Sequence, residues 1–182
     1  MLLTLAQLLR EWHDFYVLVG TASATLVGLM FVAASIGTSF FDEEHRAPMA
    51  TFITPTVVHF AAVLFTCLLV IIPTHSWHTL GLLLAILGFA GTIYCGRLLL
   101  WLTVQPRFNV DWEDRAFYAF IPLVGYVLLL IAAVLLFMQS SVSPELMAAA
   151  ILTLLVASLR NAWDMTVWMV IKTPTGTGRP PP

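Results

Sequence analysis

The sequence predicts an all-α fold, an integral membrane helix bundle with five transmembrane helices. Two compositional facts and one pattern carry that prediction. Of 182 residues, 60% are apolar and only 10% are charged, where a soluble domain would carry roughly a quarter charged. The few charges crowd into short stretches with long uncharged tracts between them, so the exterior of the folded chain must meet lipid. The tracts also have the right length, since about 20 apolar residues cross a hydrocarbon core of about 30 Å as a helix.

Residues 1–12 come first, as an interfacial amphipathic segment. Leu2, Leu3, Leu5, Leu8 and Leu9 fall on roughly one helical face, followed by Arg10 and Glu11, the pattern of a short helix lying along a membrane surface. The stretch lacks a basic start and a small-residue cleavage pattern, so it does not read as a removable signal peptide. A single bundle is expected over 13–172. Phe15 to Phe41 is uncharged and supplies span one, about 15–38. Ala47 to Gly96 is also uncharged, but Pro73, His75, Trp77 and His78 break it with a turn-like interfacial patch. Two spans result, about 51–72 and 79–102. Ala116 to Pro144 gives the fourth, about 116–139, with Ser140, Ser141, Ser143 and Pro144 as the turn.

The fifth span, about 146–171, contains Arg160 and Asp164. Each charge costs roughly 2.5 to 3.5 kcal/mol near a helix centre, against about −0.3 to −0.6 for each large aliphatic residue or Phe. Pairing and shelter by neighbouring helices tip that near balance towards insertion. Charge asymmetry agrees with five spans. They place Arg46, Arg107, Arg115, Lys172 and Arg179 on one side and only Arg10 on the other. The positive-inside rule then puts the N-terminus outside and the C-terminus in the cytoplasm. Residues 173–182, TPTGTGRPPP, are breaker-rich and read as a flexible cytoplasmic tail. Trp12, Trp77, Trp101 and Trp112 read as interface anchors.

Small residues mark helix contacts in lipid. Gly20, Ala24 and Gly28 recur every fourth residue in span one, and Gly88, Thr92 and Gly96 do so in span three. These two helices are expected to be close neighbours, within one chain or between two. Pro55 and Pro122 sit about one turn into their spans and read as helix starts.

Depth bookkeeping brings polar groups to a common level. Arg97 lies about 18 residues, or about 27 Å, from Thr79 in span three, and Asp164 lies equally far from Leu146 in span five. Arg160 is one turn from Asp164, and His59 falls near the same depth. A cluster of Arg97, Arg160, Asn161, Asp164 and His59 is therefore expected. Such a cluster marks an ion path or simply locks helices together, and Arg97 is also placed to snorkel. A tetrapyrrole ligated by His59 is an option, because neutral imidazole in a bundle is a common axial ligand. At the opposite end His13, His75 and His78 are weak candidates for a metal, without a fixed fourth ligand. No cofactor or metal is predicted.

Phosphate cradles, zinc-protease spacings and nucleophile elbows are absent from the sequence, and enzyme activity is not expected. Eight scattered Lys and Arg residues and a net charge of −2 exclude a basic nucleic-acid face. Cys67 and Cys95 lie in apolar tracts and read as buried thiols.

WHDFYVLVGTASATLVGLMFVA, residues 12–33, and RNAWD, residues 160–164, resemble a family of small, uncharacterised bacterial multi-pass inner-membrane proteins. The resemblance implies a bacterial inner-membrane location and transfers no functional residue. Two functions fit the pattern. One is a non-catalytic accessory or assembly subunit, with lipid and other membrane subunits or copies of itself as partners. The alternative is a homo-oligomeric ion channel or small transporter that uses the Arg/Asp/His cluster.

Overall fold

The computed structural model describes residues 5–37, 43–104 and 115–172, with side-chain surroundings for 5–35, 54–104 and 115–167. The described residues are helical apart from short turns. A short α1 (Leu5–Glu11) precedes α2 (His13–Gly37), α3 (Glu43–Ile71) and α4 (Trp77–Val104). A π-helical turn, Ala116–Phe120, runs directly into α5 (Ile121–Phe137), and α6 (Ser143–Lys172) completes the chain. Five of these helices are long and apolar enough to cross a membrane. They also carry large apolar side chains outward, among them Phe31, Phe65, Phe89, Val134 and Val156. An exterior of this kind suits hydrocarbon and would be a liability in water. The 173–182 tail and the 105–114 stretch with Arg107 lie outside the described residues.

Local chemistry sets the helix ends. Ser76 caps α4, its Oγ accepting the Thr79 N–H at 3.1 Å. The C-terminus of α5 closes in a left-handed turn at Gln139, φ 55°. There the Ser140 N–H donates to the Leu135 carbonyl at 2.9 Å and the Gln139 N–H to that of Leu136 at 3.0 Å. This is the paired arrangement that satisfies the last carbonyls of a helix. Pro55 is no helix start. Helix α3 begins about three turns earlier, at Glu43, and passes through the proline, as membrane helices can when neighbouring groups re-satisfy the freed carbonyl.

The main packing of the long helices is α2 on α3, α3 on α6, α6 on α5 and α5 on α4, with lesser contacts of α3 with α4 and of α2 with α6. Helices α3, α5 and α6 therefore form the middle, while α2 and α4 flank it. This corrects the expected pairing of spans one and three, because the intervening helices hold α2 and α4 apart within the chain. The reason lies in helical pitch. Steps of four residues drift by about 40° on a 3.6-residue helix, whereas alternating steps of three and four hold one face. The buried face of α4 runs through Gly81, Leu84, Gly88, Gly91, Cys95 and Leu102, an alternating three-four pattern. Thr92 and Gly96 have rotated to its edge. On α2, Gly20 is buried against Cys67, but Ala24 and Gly28 have turned outward.

Candidate functional site

The helices converge on the π turn. Ala116–Phe120 touches α3, α4, α5 and α6, and Pro122 follows it immediately. Within the turn the Ile121 N–H reaches back five residues to the Ala116 carbonyl. The next N–H in that pattern would serve Phe117, but residue 122 is proline and has no hydrogen to give. Asn161 on α6 supplies it instead, its Nδ2 donating to the Phe117 carbonyl at 3.1 Å. A side chain from one span thus repairs a backbone defect in another. Pro122 consequently does more than start a helix, because it leaves a carbonyl open to an interhelical bond.

His59 on α3 reaches the other side of this junction and is fully buried. Its Nδ1 shares a hydrogen bond of 3.0 Å with the Tyr126 hydroxyl on α5, and the Tyr94 ring of α4 lies edge-on at 6.1 Å. One histidine therefore joins three helices. Gly91 makes the arrangement sterically feasible, since a methyl group there would coincide with the Tyr126 ring. The main chain of Tyr118 also lies beside the imidazole. The ring is thus surrounded by the Tyr126 hydroxyl, the Tyr94 ring and the Tyr118 main chain. The His59 Nε2 and Asn161 Oδ1 atoms are buried without hydrogen-bond partners among the described residues.

Arg160 and Asp164 form a pair along one face of α6, with Nε to Oδ2 at 2.9 Å and about a third of each side chain exposed (39% and 34%). The guanidinium also sits 4.7 Å from the centre of the Phe117 ring, a cation–π contact. Arg97 does not join them. It is exposed on α4, and α5 stands between α4 and α6. Of the five residues expected to cluster, Asn161, Arg160 and Asp164 share the neighbourhood of Phe117, His59 engages Tyr126, and Arg97 stays apart. Shared depth is a statement about height, and it leaves the direction around each helix axis free.

Sequence reasoning missed Tyr126, Tyr94, Gly91 and Phe117. The usable signals were Pro122, which guarantees an unpaired carbonyl one turn back, and the three-four spacing of Gly81, Gly88 and Gly91. The three histidines at the opposite end also separate. His13 and His75 line one cavity, while the His78 ring lies 6.0 Å from that of Phe137. Among the described residues no three His, Cys, Asp or Glu side chains gather as a metal site. Cys67 and Cys95 are free and buried. No protein-family model, curated protein or solved structure matches the chain.

Proposed function

We propose that this chain is a non-catalytic accessory subunit of the bacterial inner membrane that scaffolds neighbouring membrane proteins, its N-terminus outside and its C-terminus cytoplasmic. The observation that carries this reading is how the polar side chains are spent. Asn161 repairs a main-chain carbonyl, His59 bonds Tyr126, and Arg160 holds Asp164. The first two tie separate helices, the third is a pair within α6 whose guanidinium also rests on Phe117, and they do not line up as a relay between the two ends. Above His59 the hydroxyls are likewise bound to main chain: Ser23 donates to the Phe60 carbonyl at 2.7 Å and Thr66 to that of Ala62 at 2.8 Å. The flanking helices α2 and α4 supply the docking faces. The inward bias of positive residues supports the orientation.

Conduction by a ring of copies is the second reading, favoured by the partial exposure of the Arg160–Asp164 pair, which would line a wet axis only between chains. The variant Asp164→Asn separates the two. Under the scaffold reading, proteoliposomes show the same background ion flux with either protein, and the variant recovers less of the native assembly. Changed ion flux with assembly intact would contradict the scaffold and support the channel.

A further inference from the structure

At the end of the bundle that carries the N-terminus, α1, the start of α2, the end of α3 and the turn after it line a half-open cavity of about 420 Å³. That volume falls within the range of small-ligand sites. Its walls are of two kinds. Leu5, Leu9, Val70 and Ile71 make an apolar floor, and Arg10, His13 and His75 stand among the lining groups as its polar components. Amphipathicity of α1 explains the division, because Leu5 and Leu8 turn inward while Arg10 stays at the exposed edge.

The lining itself carries charge of one sign, although the Glu145 carboxylate lies near Tyr16, one of the wall residues. Glu11 and Asp14 are neighbours of Arg10 and His13 in sequence, yet neither contributes to the lining, so the sole formal charge on the wall is the Arg10 guanidinium. No described carboxylate pairs with it. A second observation points the same way. The Nε2 atom of His75 has no solvent-accessible surface and no hydrogen-bond partner among the described residues, although other atoms of the side chain line the cavity. A buried polar atom without a partner is costly, and a turn of the half-buried ring would bring Nε2 to an oxygen-bearing head in the cavity.

We propose that this cavity binds a single-chain anionic amphiphile, its tail on the Leu5, Leu9, Val70 and Ile71 floor and its carboxylate or phosphate head between Arg10 and His75. An apolar floor alone would take any alkyl chain, and the basic rim selects an anionic head. A free anion would gain the rim but leave the floor empty, so tail and head are both required. The site lies at the level where the sequence places the membrane surface, within reach of lipid.

Native mass spectrometry of the full chain in a neutral detergent tests this by titration with oleate, oleyl alcohol and inorganic phosphate. Oleate is expected to bind one to one, about tenfold more tightly than oleyl alcohol, the scale of one charge-assisted hydrogen bond. Phosphate alone should not register. Arg10→Gln should remove the preference for oleate over the alcohol, and His75→Phe should reduce it. Both positions lie at the edge of the bundle, and the exposed Arg97→Gln serves as a charge control that leaves the preference intact. Equal binding of oleate and oleyl alcohol, binding of phosphate alone, or a preference that survives Arg10→Gln would each overturn the proposal.

Discussion

At the seam between α4 and α5, a methyl group added to Gly88 would stand 3.0 Å from the Leu130 side chain, and one added to Gly91 would coincide with the Tyr126 ring. On the outward face of α2, a methyl group on Gly28 would meet nothing within 4 Å. The two regions are made of the same kind of residue. What differs is the angle at which each glycine faces the neighbouring helix. In lipid, helices gain little by hiding apolar surface from one another and hold together by close contact and hydrogen bonds. The glycines filled by a neighbour therefore define the fold, whereas the bare ones leave a surface on which another helix could lie.

The sharpest way to break this comparison is at Gly91. In Gly91→Ala the new methyl group must displace Tyr126, whose hydroxyl is the hydrogen-bond partner of His59. Overpacking and loss of that bond together should destabilise the bundle by about 3 kcal/mol. Equilibrium unfolding in mixed micelles reads that loss, and unchanged stability would mean that the Tyr126 ring is not seated on this glycine. Gly125→Ala follows with a smaller effect. Its methyl group would lie 2.8 Å from Leu154 Cγ on α6 and 3.3 Å from the Ala150 carbonyl. Leu154 can shift in part, so about 1 to 2 kcal/mol is expected in the same assay.

The contrast also explains what could be read from the sequence. Span number and length follow from the thickness of hydrocarbon, a demand placed on each segment separately, and the third span, expected at 79–102, is found as Trp77–Val104. The charged fifth span likewise emerges as one unbroken helix, Ser143–Lys172. Packing faces depend on relations between segments. A four-residue repeat looks like a stripe on paper, but by Gly28 and Gly96 it has rotated off the contact face. The polar site divides in the same way. The pairing of Arg160 with Asp164 was legible from their spacing. That Asn161 would serve Phe117 was not, because it requires knowing which span faces the carbonyl freed by Pro122.

That repair predicts a coupling of intermediate size. Asn161→Leu removes the donor to the Phe117 carbonyl but also removes the unpartnered Oδ1, so the net destabilisation should be only about 1 kcal/mol, as for other interhelical hydrogen bonds in membranes. Pro122→Ala restores a main-chain donor at the same place. In a double-mutant cycle the loss caused by Asn161→Leu should shrink towards zero once Pro122→Ala is present. Strictly additive effects would show that proline and asparagine act independently.

Gly28→Ala is expected to have the smallest effect on the isolated chain, and for that reason it tests what the bare face does. No neighbouring atom opposes the methyl group, and alanine is a better helix former than glycine, so unfolding should change by no more than about 0.5 kcal/mol. Enlarging the same position in Gly28→Leu should also leave the monomer intact. If this face of α2 carries the scaffolding contact, however, the larger side chain holds the partner helix away, and less partner is recovered by crosslinking from native membranes. Equal recovery with Gly28→Leu would remove α2 from the docking surface and leave α4, with Gly96 equally open, as the face on which the scaffold reading depends. Destabilisation of the isolated chain would mean instead that α2 presses this face against its own bundle, and the distinction between filled and bare glycines would fail at the position where it is clearest.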